Sequence, residues 1–249
     1  MKTAFLITAR LKSKRLPKKI MLEVLGKPLI VHMLDRIRNA KHIGKIVICT
    51  STNPQDDPLE DVAESEGVHC HRGSEDDVLE RLLEASSQHE LDHFANITAD
   101  CPIIDPSLID RSVEEYDKTN ADLVFYNDEN NDVPFNCYVM KVAALKKLCE
   151  EKDETDTECW GSYFTSSDAF KIHQIDVEKN LRHPTLKTSL DYPEDYEFMK
   201  QVFGHLYTPD KIFSMVDIIN LVKQRPDILS INANVALVKR WRDHQQTVA

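Results

Sequence analysis

Glycine is scarce in this sequence, with only 6 glycines among 249 residues. Globular proteins use glycine for about 7% of their residues, so the chain falls well below the usual share. Glycine lets a phosphate approach the backbone closely, and loops that cradle phosphates in this way need several glycines. The scarcity therefore excludes a glycine-rich phosphate-binding protein.

Long apolar runs, an excess of basic charge and paired cysteines are also missing. No stretch of about 18 apolar residues is present, so we predict no membrane span. The apolar run at residues 3–9 is too short for a signal peptide and leads into Arg10. The net charge of −11 argues against broad nucleic-acid binding, which needs a basic surface. The six cysteines show no CxxC pair and no zinc spacing, which is typical of a reducing compartment, and we expect a cytoplasmic protein.

A regular alternation of strand-like and helix-like segments runs along the chain. Hydrophobic residues make up 41% and charged residues 29% of the sequence, which is ordinary for a soluble globular protein. We predict strands at residues 4–8, 45–49, 68–70, 93–98, 122–126, 135–140, 170–176 and 187–190. We predict helices at residues 28–40, 58–66, 76–88, 106–118, 141–151, 194–203 and 215–224, followed by a polar tail. This rhythm predicts an α/β fold with a doubly wound, mostly parallel sheet in a single domain.

The loop after the first predicted strand, residues 9–19, is strongly basic. Sheets of this class bind ligands beyond the carboxyl ends of their strands, so the loop lies where a site is expected. It carries six cations in a net-acidic protein: Arg10, Lys12, Lys14, Arg15, Lys18 and Lys19. Arginine and lysine offset the charge that builds on a leaving pyrophosphate, so we interpret the loop as wrapping a triphosphate. The alternative is a solvated charge run, which is the commoner fate of such clusters.

Two further loops carry polar side chains at the same edge of the sheet. Residues 50–57 include Ser51, which fits either a contact to a base or ribose or an ordinary turn. The loop that begins at residue 71 contains Arg72, Ser74 and Asp77. Ser74 and Asp77 have the spacing of a capping box, so a structural role competes with a place at the rim of a nucleotide site.

Asp100 and Asp191 each follow a predicted strand. Magnesium needs only one or two protein carboxylates, because phosphate and water complete its octahedron. Two aspartates after two separate strands therefore favour a metal–phosphate site. The alternative for Asp191 is a helix cap, since a helix is expected to begin near Pro193.

Six segments, taken in order, resemble the cytidylyltransferases of bacterial surface-polysaccharide synthesis. The spore-coat-polysaccharide type is closest, and the CMP-KDO and CMP-sialate synthetases are more distant. The segments are ARLKSKRLPKK, LGKPLI, STNPQDDP, RGSEDDVLERL, ADCPIIDP and LDYPED. The resemblance implies a Rossmann-like nucleotidyltransferase fold, CTP as the nucleotide, Mg²⁺ as the cofactor and a possible homodimer.

The resemblance also implies roles for the residues that match the family's motifs. The nucleotide-binding residues would be Ala9, Arg10, Ser13, Arg15, Lys19, Ser51, Arg72, Ser74 and Asp77. Asp100 and Asp191 would hold the magnesium ion. Arg15, Lys19 and Asp100 would be the catalytic residues.

The chain departs from the family's pattern at several places. The first loop of the family usually reads ARxGSxRLPGK, and here Lys12 and Lys18 replace both glycines. The strand that usually contains Gly-Leu-Asp reads VPFNCYVM at residues 133–140, and the expected Arg-Glu-His appears as Thr-Glu-Cys at residues 157–159. These changes leave the acceptor as the least defined part of the prediction.

The expected function is the transfer of CMP from CTP to a small anionic acceptor, with release of pyrophosphate. Residues 1–130 would form the nucleotide-binding half, and residues 131–249 the acceptor half with any dimer contacts. The extra lysines of the first loop favour an acceptor that carries its own phosphate over a sugar acid. Arg182 and Lys187 are candidates for holding it, although charges before a strand are more often solvated. The alternatives are a nucleotidyltransferase of other base specificity and a catalytically silent nucleotide-binding module.

Overall fold

Strands and helices alternate along the chain in the computed structural model, which describes residues 3–166 and 168–235. The strands are β1 (Thr3–Thr8), β2 (Glu23–Val24), β3 (Lys27–Pro28), β4 (Ile43–Ser51), β5 (His69–Gly73), β6 (His93–Thr98), β7 (Leu123–Tyr126), β8 (Tyr138–Lys141) and β9 (Ile172–Ile175). The helices are α1 (Leu29–Arg38), α2 (Asp57–Ser65), α3 (Val78–Gln88), α4 (Pro106–Thr119), α5 (Val142–Glu151), α6 (Gly161–Thr165), α7 (Pro193–Leu206), α8 (Met215–Gln224) and α9 (Pro226–Ser230). The predicted polar tail begins with α9, and its part from residue 236 onward lies outside the described residues.

Seven of the strands form one sheet in the order β5-β4-β1-β6-β8-β7-β9, and β2 pairs with β3 in a separate hairpin. Within the sheet β8 runs antiparallel to both of its neighbours, and the other pairings are parallel. The predicted α/β fold with one mostly parallel sheet is therefore confirmed. The order of the strands reverses at β1, because β4 lies on one side of it and β6 on the other. The carboxyl ends of these strands form the switch point at which such sheets bind ligands.

Helices cover both faces of the sheet, which explains why its central strand is apolar. All 6 residues of β1 are buried. Phe5 and Ile7 pack with residues of α1, α2 and α4 on one face, whereas Leu6 packs with residues of α3 and α5 on the other. Full burial of a side chain such as Phe or Leu stabilises a fold by about 1.5–3 kcal/mol. The apolar centre of the sheet thus supports the loops that follow its strands.

No disulfide joins these layers, because all six cysteines are free. Cys49 and Cys137 are fully buried and act as small hydrophobic residues. In the described part of the chain, no helix combines the length and the apolar character that crossing a membrane requires.

Residues 187–190 form an irregular segment and not the predicted strand. The amide of Leu190 donates to the carbonyl of Asp100 at 2.8 Å, and the carbonyl of Lys187 accepts from the side chain of Asn232 at 3.2 Å. The loop at Asp100 and the side chain of Asn232 therefore provide the hydrogen bonds that a neighbouring strand would provide if this segment belonged to the sheet. The prediction was wrong because four residues of strand-like composition carry no information about their hydrogen-bond partners.

Two buried charged side chains attach α8 to the first half of the chain. Arg36 of α1 donates to the carbonyls of Ile104 at 2.6 Å and Phe213 at 2.7 Å. Burial lowers the pKa of its guanidinium to about 10, which leaves it charged at neutral pH. Asp105 caps α4 with one carboxylate oxygen, and its other oxygen accepts from the amide of Met215 at 2.6 Å. One carboxylate therefore fixes the starts of two helices.

Asp105→Ala should lower the free energy of unfolding by about 2–4 kcal/mol. The substitution removes a helix cap, worth about 1 kcal/mol, and leaves the buried amide of Met215 without its partner, which costs about 1–3 kcal/mol. Urea unfolding followed by circular dichroism measures the change. Asp117→Ala, on the exposed side of the same helix, is the control and should change stability by less than about 0.5 kcal/mol. Equal losses in the two variants would contradict the double capping role.

Candidate active site

The basic loop, residues 9–19, is held against the carboxyl ends of β1 and β4 by hydrogen bonds. The amide of Ala9 donates to a carbonyl of β4 at 3.0 Å. The amide of Leu11 donates to the fully buried carboxylate of Asp56 at 2.7 Å. Within the loop, the hydroxyl of Ser13 accepts from the amide three residues later at 3.3 Å. The loop therefore has a defined path over the switch point before any ligand is bound.

The ammonium of Lys19 bridges the two aspartates that the sequence assigns to the metal. Its Nζ lies 2.8 Å from Asp100 Oδ2 and 3.1 Å from Asp191 Oδ1. The hydrogen bond from the amide of Leu190 to the carbonyl of Asp100 joins the two loops directly. The side chains of Lys19 and Asp191 are only 13% and 12% exposed. The structure thus brings together two carboxylates that lie far apart in the sequence.

Further cations contact both oxygens of Asp191. Arg15 Nη2 lies 2.8 Å from Oδ1, and its guanidinium lies 4.9 Å from the ring centre of Tyr192. Lys187 Nζ lies 3.3 Å from Oδ2. The alternative interpretation of Asp191 as a helix cap is wrong, because its carboxylate binds cations and contacts no amide of α7.

Burial and charge act in opposite directions on the pKa values of this cluster. Burial alone would raise the pKa of Asp191, but the attraction of Lys19 and Lys187 outweighs it, and the pKa is lowered. Burial alone would lower the pKa of Lys19, but the attraction of Asp100 and Asp191 outweighs it, and the pKa is raised. Asp191 and Lys19 are therefore both ionised at neutral pH.

The carboxylates of Asp100 and Asp191 form a donor set that fits magnesium. Magnesium prefers oxygen ligands and is usually held by one or two carboxylates together with phosphates and water. Oxygens of both residues already contact one cationic nitrogen. Across residues 3–166 and 168–235 there is no cluster of three or more His, Cys, Asp or Glu side chains suited to a metal. Asp100 and Asp191 therefore fit a magnesium ion whose other ligands are substrate phosphates and water.

Arg10 and Lys12 face the acidic loop before α3. Arg10 donates to the carbonyl of Glu75 at 2.7 Å, and its guanidinium lies 3.8 Å from Asp76 and 3.4 Å from Glu158. Lys12, which replaces a glycine of the family's loop, lies 2.8 Å from the carboxylate of Glu75. A triphosphate that engages these two cations therefore has to compete with carboxylates of the same chain.

Lys18, which replaces the second glycine, keeps a backbone conformation that favours glycine. Its φ is 52° and its ψ is 31°, a left-handed conformation that strains residues with a side chain. Lys14 and Lys18 are both exposed. Within the described ranges, neither ammonium lies within salt-bridge distance of a carboxylate. Both lysines are therefore available to an anion.

Ser51 and Arg72 shape the loop between β4 and α2. The fully buried hydroxyl of Ser51 donates to Asp56. Arg72 donates to the carbonyl of Ser51 at 3.0 Å and pairs with Asp57 at 2.6 Å and Glu60 at 3.0 Å. Both residues lie at the ends of strands and not in the loops where the sequence places them, because β4 and β5 are longer than predicted. Their contacts with a nucleotide stay predictions.

Ser74 and Asp77 organise the start of α3. The hydroxyl of Ser74 accepts from the amide of Asp77 at 3.0 Å, and Asp77 caps the helix by accepting from the amide of Glu80 at 3.1 Å. Asp77 also accepts from Thr157 at 2.9 Å and from Lys152. The structural role predicted for this pair is present, with Asp77 as the cap. The predicted contacts with the nucleoside remain untested.

The two candidates for acceptor binding lie in different surroundings. Arg182 pairs with Asp132 and donates to the carbonyl of Val177 at 3.1 Å. Lys187 is only 4% exposed and donates to Asp195, so the expectation of a solvated charge is wrong for this lysine. Its ammonium contacts carboxylates of the chain, which leaves Arg182 as the more accessible of the two.

Two fully buried aspartates that support the site are missing from the sequence predictions. Asp195 accepts from the amides of Asp191 and Tyr192, both at 2.9 Å, and Asp56 fixes the amide of Leu11. The segment LDYPED contains an indication for Asp195, since an acidic residue at the third helical position is typical of a capping box. Asp56 has no comparable indication, because the amide of Leu11 that it fixes lies 45 residues earlier.

The sequence model of the cytidylyltransferase family matches residues 4–243 of the chain. The chain belongs to this family. The cytidylyltransferase is 29% identical over 238 residues to an uncharacterized protein of Methanocaldococcus jannaschii, with 94% of this chain and 96% of that protein covered. It is 25% identical over 233 residues to the spore coat polysaccharide biosynthesis protein SpsF of Bacillus subtilis, with 90% and 95% covered. A solved cytidylyltransferase from Leptospira borgpetersenii is similar with a TM-score of 0.83 and 27% identity, with 95% of this chain and 99% of that chain covered.

These similarities confirm the predicted family and its nucleotidyltransferase fold. The cytidylyltransferase is therefore an enzyme of the nucleotidyltransferase class, and the catalytically silent module is not retained. The similarity to the Leptospira structure extends over nearly the whole chain, so the fold includes the second half, in which the sequence departs most from the family's motifs.

The ion pairs of Asp191 predict how the stability of the cytidylyltransferase depends on pH. Folding lowers the pKa of this carboxyl from its ordinary value of 3.8. Its ion pairs therefore stabilise the fold above that value and are lost as the pH falls through the lowered pKa. Asp191→Asn should be less stable than the wild type at neutral pH, and the difference should shrink below about pH 4. Urea unfolding at several pH values measures this difference, and a difference independent of pH would contradict its ionic origin.

Proposed function

We propose that the protein is a CTP-dependent cytidylyltransferase that transfers CMP to a small anionic acceptor and releases pyrophosphate. The observation that carries the proposal is the convergence of Asp100 and Asp191 on Lys19 at the switch point of the sheet. A basic loop lies beside this cluster, as binding of a triphosphate requires. Membership of the cytidylyltransferase family supports cytidine as the nucleoside.

In the proposed reaction an oxygen of the acceptor attacks the α-phosphorus of CTP. The new P–O bond forms as the bond to the bridging oxygen of the β-phosphate breaks, and pyrophosphate leaves with the negative charge. The reaction needs no nucleophile from the protein, so catalysis depends on positioning and on charge. Arg15 and Lys19 lie beside the two aspartates, where they would bind the triphosphate and offset the charge of the leaving group.

Magnesium is the cofactor that we propose for Asp100 and Asp191. When bound, Mg²⁺ would supply neutralisation of phosphate charge and orientation of the triphosphate. Lys19 balances both carboxylates in the structure. With the aspartates engaged by a metal, this ammonium is available to a phosphate group.

The charge of the basic loop favours an acceptor that carries its own phosphate. A phosphate ester is already ionised at neutral pH, so the enzyme needs no general base to activate it. Lys18 supports this choice because its exposed ammonium has no carboxylate partner in the described part of the chain, whereas Lys12 is already paired with Glu75. The product would be a CDP-linked compound. The relative named for spore coat polysaccharide biosynthesis supports a role in surface polysaccharide synthesis.

Pyrophosphate release with each of CTP, UTP, GTP and ATP, in the presence of Mg²⁺, tests the proposed function. Small phosphate esters and 2-keto sugar acids serve as two panels of acceptors. We expect release with CTP and a phosphate ester, and Asp100→Asn should reduce the rate by at least about 10²-fold. Asp117→Asn is the control and should leave the rate unchanged. Preference for another nucleotide would contradict the base specificity, and turnover only with a sugar acid would contradict the phosphorylated acceptor.

Lys18→Gly tests whether the lysine in the glycine position is used in catalysis. Relief of the left-handed strain at φ 52° should raise the free energy of unfolding by up to about 1 kcal/mol. Loss of the ammonium should raise the KM for the phosphorylated acceptor by about 2- to 5-fold, the range expected for one exposed ion pair.

Glu90→Gly is the matched control, because Glu90 has a φ of 53° at an exposed position after α3. This variant should gain similar stability without a change in KM. Measurements of unfolding and of initial rates give both quantities. An unchanged KM in Lys18→Gly would show that the ammonium does not contact the acceptor.

A further inference from the structure

Three buried polar side chains support Asp191 in addition to the cations of the basic loop. We call them the Asp191 bracket: Lys187 (4% exposed), Asp195 (0%) and Asn232 (1%). They come from three separate parts of the chain, namely the irregular segment before α7, the first turn of α7 and the residues after α9. Polar groups buried this deeply require partners, and three hydrogen bonds join the members of the bracket to one another.

Asp195 is the centre of the bracket. Its Oδ2 accepts from the backbone amides of Asp191 and Tyr192, both at 2.9 Å, and from Lys187 Nζ. Its Oδ1 accepts from the side-chain amide of Asn232 at 2.9 Å. The carboxylate of Asp195 therefore fixes the piece of backbone that carries Asp191.

Lys187 extends the bracket to the carboxylate of Asp191. Its Nζ lies 3.3 Å from Asp191 Oδ2 and 2.9 Å from the carbonyl of Ser189. The other oxygen of Asp191, Oδ1, contacts Arg15 and Lys19. One oxygen is therefore anchored to the bracket, and the other is presented to the cations of the site.

Asn232 binds the other two members of the bracket with the two hydrogens of its side-chain amide. Its Nδ2 donates to Asp195 Oδ1 at 2.9 Å and to the carbonyl of Lys187 at 3.2 Å. The opposite orientation of the amide would bring its oxygen against two acceptors, so the chemistry of the partners selects the orientation. Alanine supplies no donor at this position, and serine supplies only one.

We propose that Asn232 is a positioning residue for the metal-binding carboxylate of Asp191. The inference rests on the proposed function, since it takes Asp191 as a magnesium ligand. Side chains that orient a metal ligand through hydrogen bonds typically contribute about 10- to 100-fold to metal affinity or activity. Asn232 acts through Asp195 and Lys187, which hold the backbone and one oxygen of Asp191.

The test compares Asn232→Ala with Asn234→Ala in the full-length protein. Asn234 lies two residues further along the same segment and is exposed, so it is a matched control. The electron paramagnetic resonance signal of free Mn²⁺ is measured with CTP in the presence and in the absence of the protein, because CTP alone also binds Mn²⁺. The difference between the two gives the metal affinity of the protein–CTP complex without turnover. We expect about 10- to 100-fold weaker binding in Asn232→Ala and unchanged binding in Asn234→Ala.

A kinetic measurement separates positioning from a general loss of structure. In Asn232→Ala the Mg²⁺ concentration for half-maximal rate should rise, and excess Mg²⁺ should restore most of the rate. Partial unfolding would instead lower the rate at every Mg²⁺ concentration. Asn232→Ser keeps one donor and should give an intermediate Mg²⁺ requirement.

The possible results distinguish a failure of the proposed function from a failure of the positioning role of Asn232. If the wild type binds no Mn²⁺ with CTP, the proposed function fails and the role of Asn232 fails with it. If the wild type binds Mn²⁺ and Asn232→Ala binds it equally well, the proposed function stands and the positioning role is overturned. Failure of both the Ala and the Ser variant to fold, judged by circular dichroism, would show a role in the fold itself and would also overturn the proposal.

Discussion

The ion pairs that Lys19 makes with Asp100 and Asp191 are the interaction on which the rest of the site depends. Two carboxylates that face each other in a poorly exposed place repel and must be balanced by positive charge. Lys19 contacts both of them, and Arg15 and Lys187 add positive charge around Asp191. The result is an ionised cluster in which cations and carboxylates compensate one another without a ligand.

The topology of the sheet explains how residues so far apart in the sequence meet. The strands β1 and β6 are neighbours although β4 and β5 lie between them in the chain, so the loops after β1 and β6 emerge side by side. The basic loop follows β1, and Asp100 lies in the loop that follows β6. The segment with Asp191 joins them through the hydrogen bond of Leu190 to the carbonyl of Asp100.

The neighbouring loops show a second constraint, which is competition between acidic side chains and a substrate for the same cations. Arg10 and Lys12 are engaged by acidic groups of the chain, whereas Lys14 and Lys18 are exposed and pair with no carboxylate among the described residues. The replacement of the family's two loop glycines therefore has two different consequences. Lys12 ties the loop to its neighbour, and Lys18 adds an ammonium at a strained position of the backbone.

Much of the fold was predictable where its elements are long and regular. The strand β6 and the helix α8 have the predicted bounds, since a buried strand and an amphipathic helix leave clear patterns over their own residues. The hairpin of β2 and β3 and the short helix α6 were not predicted, because elements of two to five residues are too short to show a period. Residues 187–190 were predicted as a strand, but their partners are a loop and a side chain.

The sequence by itself determined the α/β class, the family and the candidate residues Arg15, Lys19, Asp100 and Asp191, because local patterns and ordered motifs carry that information. Only the tertiary structure decided that the two aspartates share one ammonium and that Lys187 is buried among carboxylates. It also decided that Asn232 reaches Asp195 from 37 residues away. Contacts of this kind depend on how separate segments pack against the sheet, and no single stretch of sequence encodes them.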